Sequence, residues 1–178
     1  ITPKTRLIIP VHLGGYPVEM DGIMGLAEKH GIMVLEDAAH GFGGSFRGKA
    51  LGTIGDFGAY SFHEVKNCTS LGEGGILVTN DSCGEEFAKA RFAGFDMAHP
   101  IEKWLYDITA LKNRAGGYSV PGNHSVTEIQ AVALLAQMKR VETIIAERRR
   151  AAERLTARLE TLPGVVCQPR ESATVRSS

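Results

Sequence analysis

Cysteine is scarce in this 178-residue chain: Cys68, Cys83 and Cys167 are the full complement, and no two of them form a C-x-x-C pair. An odd, scattered set excludes a disulfide framework and a thiolate zinc site, and it fits a reducing, cytoplasmic setting. The six histidines show no H-E-x-x-H or related spacing, so no metal is expected. Charge of one sign is missing as well, because 20 Lys and Arg balance 20 Asp and Glu. No global field would draw in nucleic acid or a membrane surface. No apolar run approaches bilayer length, and no basic-then-apolar start resembles a signal peptide. What remains is an ordinary globular composition, 43% hydrophobic and 22% charged, enough for one domain with a sizeable core.

Glycine is plentiful at 21 residues, mostly in the first two thirds, and it punctuates short apolar runs. "RLIIPVHLGG" reads as a buried strand ending in a loop. "PVEMDGIMGLAEKHG" sets Met20, Met24 and Ala27 at helical spacing, with Gly31 as the stop. "IMVLEDAA" is a second strand. Strand, helix and strand within about thirty residues is the βαβ pattern of a parallel sheet. "GGSFRGKALGT" reads as a hairpin or lobe at the sheet's edge, and "DFGAYSF" and "GGILVTND" predict two further strands. Ser82 and Glu85 are spaced as a capping box for a helix ending near Phe92.

From Ala93 to Gly122 the periodicity is mixed and reads as a long excursion with room for one short helix. Ser125 and Glu128 again have capping-box spacing. The apolar positions from Leu134 to Leu162 then predict one long helix, closed by Pro163-Gly164. Its basic stretch "AERRRAAER" reads as a solvated face. The chain starts without methionine and stops soon after that helix, so it reads as a piece of a longer protein.

In a doubly wound sheet, ligands sit at the carboxyl ends of the strands. Asp37 ends "IMVLED", with His40 a turn away; Ser61 lies near the end of "DFGAYSF", and Lys66 lies in the loop beyond. Singly, each has a structural explanation: a turn aspartate, a core histidine, a small strand residue, a solvated loop lysine. Together they deliver an acid, a hydroxyl and an amine to one edge. That trio suits pyridoxal phosphate. An uncharged lysine attacks the cofactor aldehyde, a carboxylate keeps the pyridine nitrogen protonated, and a hydroxyl holds the phosphate.

The stretch "EDAAHGFGGSFRGKALGTIGDFGAYSFHEVKN", followed by "GEGGILVTND", closely resembles the DegT/StrS-type sugar aminotransferases. These are pyridoxal phosphate enzymes of the aspartate aminotransferase fold. The similarity runs from about Pro10 to about Leu162 and implies an α/β fold, a mostly parallel sheet flanked by helices and ending in a long linking helix. Residues 1–124 would be the central part of the cofactor-binding large domain, 125–162 the linking helix, and 163–178 the start of a C-terminal domain.

By the same resemblance, Asp37 matches the partner of the pyridine nitrogen and His40 the residue beside the ring and its phenolic oxygen. Ser61 matches a phosphate-binding serine, and Lys66 the lysine that binds the cofactor covalently. "GNHSVTEIQAVALLAQMKRV" resembles an element whose asparagine reaches the phosphate of a neighbouring subunit, which makes Asn123 the counterpart in a homodimer. Ser125 stands where the family often has arginine. The activity implied is transfer of an amino group, commonly from glutamate, to a keto-sugar carried on a nucleotide. A pyridoxamine-dependent sugar dehydratase is disfavoured because histidine replaces the lysine there; a non-catalytic relative with the same fold is the other alternative. The isolated 178-residue chain is expected to show no robust transaminase turnover, which an assay with glutamate and a panel of keto-sugars measures directly.

Overall fold

The first apolar run yields a strand of only two residues, β1 (Leu7–Ile8), because Pro10 and the 3-10 turn at Leu13–Gly15 interrupt it. Helix α1 (Met20–His30) follows, with the Glu19 side chain accepting from the Gly22 N–H at its start. It ends at Gly31, whose left-handed φ of 61° few residues other than glycine adopt. Strand β2 (Met33–Asp37) comes next, then the hairpin β3 (Ser45–Phe46) and β4 (Lys49–Ala50), β5 (Phe57–Ser61) and β6 (Gly75–Thr79).

The computed structural model describes residues 1–94, 111–112, 117–119, 122–169 and 175–177. Its main sheet has the order β1-β2-β5-β6. β1, β2 and β5 run parallel, and β6 pairs antiparallel with β5 as the return of a hairpin. The core under the sheet joins Met20 and Ala27 of α1 to Val34, Phe46 and Leu51, with Ile23, Met24 and Ile54 packed against them. The α1 contributions fall on one helical stripe, as the sequence spacing requires.

One buried polar group ties this sheet together. Glu36 is fully buried on β2. Its Oε2 accepts from His12 Nε2 at 3.0 Å and from the Gly52 N–H at 2.7 Å; its Oε1 accepts from the Ile54 and Gly55 N–H groups at 2.5 and 2.6 Å. His12 Nδ1 accepts from the Val18 N–H at 3.1 Å, so the ring proton sits on Nε2 and points at the carboxylate. Desolvation pushes the Glu36 carboxyl up, yet the His12 hydrogen bond and the Gly55, Gly52 and Ile54 amides outweigh it and hold it below the usual carboxylate range.

Three sequence expectations are corrected. The single helix over 125–162 is two, α3 (Glu128–Met138) and α4 (Val141–Leu159), separated by a turn at Lys139 and Arg140. No glycine or proline marks that break, and the apolar spacing continues through it. Neither capping box forms. α2 (Gly84–Arg91) has Cys83 as its N-cap, with the preceding turn closed by Asp81 Oδ1 on the Cys83 N–H, while Ser125 Oγ accepts from Arg91.

By compactness the chain divides into two units. Ile1–Thr79 and Glu128–Ser178 form one unit, and Asn80–Thr127 a second. Within the first, β9 (Val175–Arg176) hydrogen-bonds to β3 and so extends the β3–β4 hairpin by a third strand. The second unit holds α2 and the pair β7 (Leu111–Lys112) and β8 (Tyr118–Ser119). Most of the excursion expected between 93 and 122 lies outside the described residues. Among the described residues no helix is long and apolar enough to cross a membrane, and no cluster of His, Cys, Asp and Glu could hold a metal.

A folded-state carboxyl held below its unfolded value stabilises the protein above the unfolded pKa of about 4.3, and that stability is lost as pH falls through the folded value. Chemical denaturation between pH 7 and pH 3 should therefore show stability declining below about pH 4. Glu36→Gln should be less stable than the parent by about 3 kcal/mol at pH 7 and should lose this part of the acid dependence. Equal stability of the two proteins at pH 7 would contradict the account.

Candidate functional site

The parallel strands β2 and β5 end side by side, with Asp37 in register with Ala59. Beyond β5 the chain makes a closed loop before returning as β6. Its base continues the β5–β6 ladder, since Phe62 N–H donates to the Gly74 carbonyl at 2.7 Å and Glu64 N–H to that of Gly72 at 2.8 Å. Ser70, buried at its centre, donates from Oγ to the carbonyls of Phe62 and Glu73. Gln130 of α3 braces it from outside through the Glu73 carbonyl at 2.9 Å. Lys66 sits near the tip, where its N–H donates to the His63 carbonyl at 3.0 Å. The turn is thereby set by backbone and buried hydroxyl, leaving the Lys66 side chain out of it.

Lys66, Ser61 and His40 line one cleft of about 260 Å³. Asn67, Phe42 and Gly14 complete much of its wall. The Phe42 ring is held edge-on by Tyr60 and Phe62, with centroids 5.6 and 5.3 Å away. Tyr60 in turn donates its hydroxyl to the Leu51 carbonyl at 2.6 Å; burial first, and the Glu36 charge second, push its phenol up. The Gly14 N–H donates to His40 Nδ1 at 3.2 Å, so the imidazole is oriented from the 13–15 turn. A second, larger cavity of about 440 Å³ lies between α4 and the C-terminal segment, lined by Tyr16, Thr156 and Gln168 among others. Among the described residues it brings together no lysine, histidine or cysteine.

Asp37 is placed at the edge of this cleft rather than in its lining. Its Oδ1 accepts from the Ala39 N–H at 3.0 Å, and Ala39 is a lining residue. The Asp37 backbone is clamped from the β1 side, its N–H donating to Pro10 and its carbonyl accepting from His12. Asn123 belongs to the second unit, where it bridges Phe92 and accepts from the Ser125 N–H at 3.3 Å. His12 is fully buried, and its ring is engaged by Glu36 and the Val18 N–H. His63 braces the lysine loop: Nδ1 accepts from the Val65 N–H, and Nε2 lies 3.5 Å from Glu73. Sequence reasoning missed Arg148, which lines the cleft from α4 although its basic stretch looked uniformly solvated. Only the helix register relative to Ile145 could have singled it out.

An amine, a hydroxyl, an amide, an imidazole and an aromatic ring meet in this one concavity. The donor set suits a small ring compound that carries an aldehyde and a phosphate. The comparison with known proteins agrees: the model of the DegT/DnrJ/EryC1/StrS aminotransferase family matches residues 1–178. The chain belongs to that family.

The chain is 38% identical to UDP-N-acetyl-3-dehydro-alpha-D-glucosamine 3-aminotransferase of Acidithiobacillus ferrooxidans, over 85% of this chain and 37% of that protein. It is 35% identical to GDP-perosamine synthase of Caulobacter vibrioides, over 99% of this chain and 44% of that protein. Among solved structures, Spr1654 of Streptococcus pneumoniae in its PLP form superposes with a TM-score of 0.80 at 26% identity, covering 99% of this chain and 47% of that one. The chain thus spans less than half the length of these relatives. Its architecture is that of the PLP-dependent aminotransferases, a mixed α/β layer with a mostly parallel sheet.

The seat of α4 determines one wall of the cleft. Ile145, buried at 6% exposure, fills the space that a Cβ on Gly43 would need, and Gly43 holds a φ of +90° to allow it. Ile145→Ala should cost about 2–5 kcal/mol by denaturation, the usual range for emptying a packed aliphatic site. A loss under about 0.5 kcal/mol, within the range of ordinary surface changes, would mean α4 is not seated there.

Proposed function

We propose that this chain forms the cofactor-binding core of a pyridoxal phosphate-dependent aminotransferase that moves an amino group, from glutamate, onto a nucleotide-linked keto-sugar. The observation that carries the reading is the convergence of Lys66, Ser61 and His40 on one cleft, with Asp37 fixed at its edge through Ala39. Family membership and the sugar-directed names of the two curated relatives support it.

The cofactor, when bound, supplies an electrophilic aldehyde and a ring that accepts electrons from the substrate carbon. The rest falls to residues of this chain. Lys66 holds the cofactor covalently and, once displaced by the donor, carries the proton away from the donor's α-carbon as general base and returns it as general acid. The Asp37 carboxylate keeps the pyridine nitrogen protonated. Ser61 donates its hydroxyl to the phosphate, and His40 stands beside the phenolic oxygen. Running the same proton transfer in reverse on the sugar carbonyl delivers the amine, so the kinetics should be ping-pong.

Asn123 contributes to the phosphate site of a second subunit in a homodimer. The apolar face of α3 supports self-association: Ile129, Val132 and Leu135 follow each other at helical spacing and are 74%, 65% and 60% exposed. The presence of Lys66 favours transamination over the dehydratase chemistry of relatives that carry histidine there.

In the intact protein, borohydride reduction in the presence of pyridoxal phosphate should add the cofactor mass to the Lys66 peptide. Lys66→Ala should abolish both that addition and the visible absorbance, and lower turnover by at least 10²–10⁴-fold. Labelling at another lysine, or full turnover by Lys66→Ala, would refute the reading. Val132→Asp should shift the protein toward monomer in sedimentation; an unchanged distribution would remove α3 from the subunit interface.

A further inference from the structure

Helix α4 delivers one further cation to the cleft, and the way it is anchored leaves that cation no structural task. Ile145 is seated on Gly43. One turn on, Arg149 donates through Nε to the Ser177 carbonyl at 3.0 Å and through Nη2 to the carbonyls of Ser177 and Gly43, the latter at 3.4 Å. These two anchors stand four residues apart and hold one stripe of the helix against the Gly41–Gly44 turn. Arg148, immediately before the second anchor, is thereby carried to the cleft wall shared with Lys66 and Ser61. Arg149 is spent on main-chain carbonyls; Arg148 forms no ion pair with a carboxylate of the described residues.

Among the described residues, the cleft lining therefore carries two basic side chains, Lys66 and Arg148, an imidazole, and no carboxylate. Three acids adjoin the lining in sequence, Asp37, Glu64 and Glu147, and none of them lines the cleft; Asp37 accepts from the Ala39 N–H through Oδ1. Concave sites with one sign of charge concentrate the opposite ion. A guanidinium adds geometry to that attraction, because its planar fork meets a carboxylate or phosphate through two parallel hydrogen bonds.

We propose that Arg148 is a ligand-binding residue whose guanidinium takes an oxyanion, carboxylate or phosphate, of a molecule bound over Lys66. The proposal rests on the reading of this cleft as a cofactor and substrate site. It assigns recognition of the ligand's charged end to α4, while Lys66 and Ser61 come from the β5–β6 loop and strand. The charge comes from the phosphate of a cofactor or nucleotide, or from the carboxylate of an amino-acid donor.

The test uses the intact cofactor-free protein and two probes in calorimetry, inorganic phosphate and glutarate. Arg148 is exposed on its helix, so Arg148→Met and Arg148→Lys should fold like the parent; Arg150→Met, also exposed on α4, is the control for loss of a nearby positive charge. Arg148→Met should weaken at least one probe about ten-fold, with Arg148→Lys in between and Arg150→Met unchanged. Weakened phosphate with intact glutarate binding identifies a phosphate ligand, and the reverse identifies a donor carboxylate. If neither probe binds the parent, or Arg148→Met binds both as the parent does, or Arg150→Met loses as much, the proposal is overturned. Failure of the aminotransferase reading is separate, because it shows as the absence of cofactor on Lys66 in the parent protein.

Discussion

A single buried carboxylate organises the half of the molecule that matters for chemistry. Glu36 has no access to water and receives four hydrogen bonds, two on each oxygen. A carboxylate in that position is tolerable only if it is fully satisfied, since an unpaired buried charge costs several kcal/mol. Its partners come from two loops, the His12 segment and the 52–55 turn, which no hydrophobic contact alone would bring to one register. Because His12 also clamps the Asp37 carbonyl, the same interaction fixes the edge of the cleft. Alternation along the strand explains the division of labour: Glu36 points into the fold, so its neighbour Asp37 faces the other way.

The lysine loop depends on a different principle. Its shape is held by continued ladder pairing, a buried serine hydroxyl and a brace from α3, none of which uses the Lys66 side chain. A rigid support with a free functional group is what pre-organised catalysis requires, since ordering costs are met before a ligand arrives. The aromatic trio of Phe42, Tyr60 and Phe62 serves the same end, giving the cleft one wall of fixed geometry. The opposing anchor is α4, whose approach depends on a glycine at residue 43.

Charge distribution separates the two cavities better than size does. The larger one sets Arg149 against Glu153 and, among the described residues, holds no lysine, histidine or cysteine. The smaller one is cationic and holds an amine, a hydroxyl and an imidazole. Chemistry therefore lies where polar groups of different kinds converge.

Much of the fold was legible in the residue pattern. Short apolar runs gave β2, β5 and β6; helical spacing and Gly31 gave α1; and the glycine-rich "GGSFRGKALGT" gave the β3–β4 segment. These signals are local, because burial of one face and the freedom of glycine act within a few residues. The position of four motif residues was legible for the same reason: Asp37 and Ser61 close their strands, and His40 and Lys66 lie in the loops just beyond. What the chain could not display in one dimension was anything requiring a partner distant in sequence. The return of β9 to β3, the pairing of His12 with Glu36, and the arrival of Arg148 beside Lys66 all depend on contacts across 24 to more than 100 residues. Periodicity says which side of a helix is buried, but only packing against a particular glycine decides which neighbour of that stripe reaches the site.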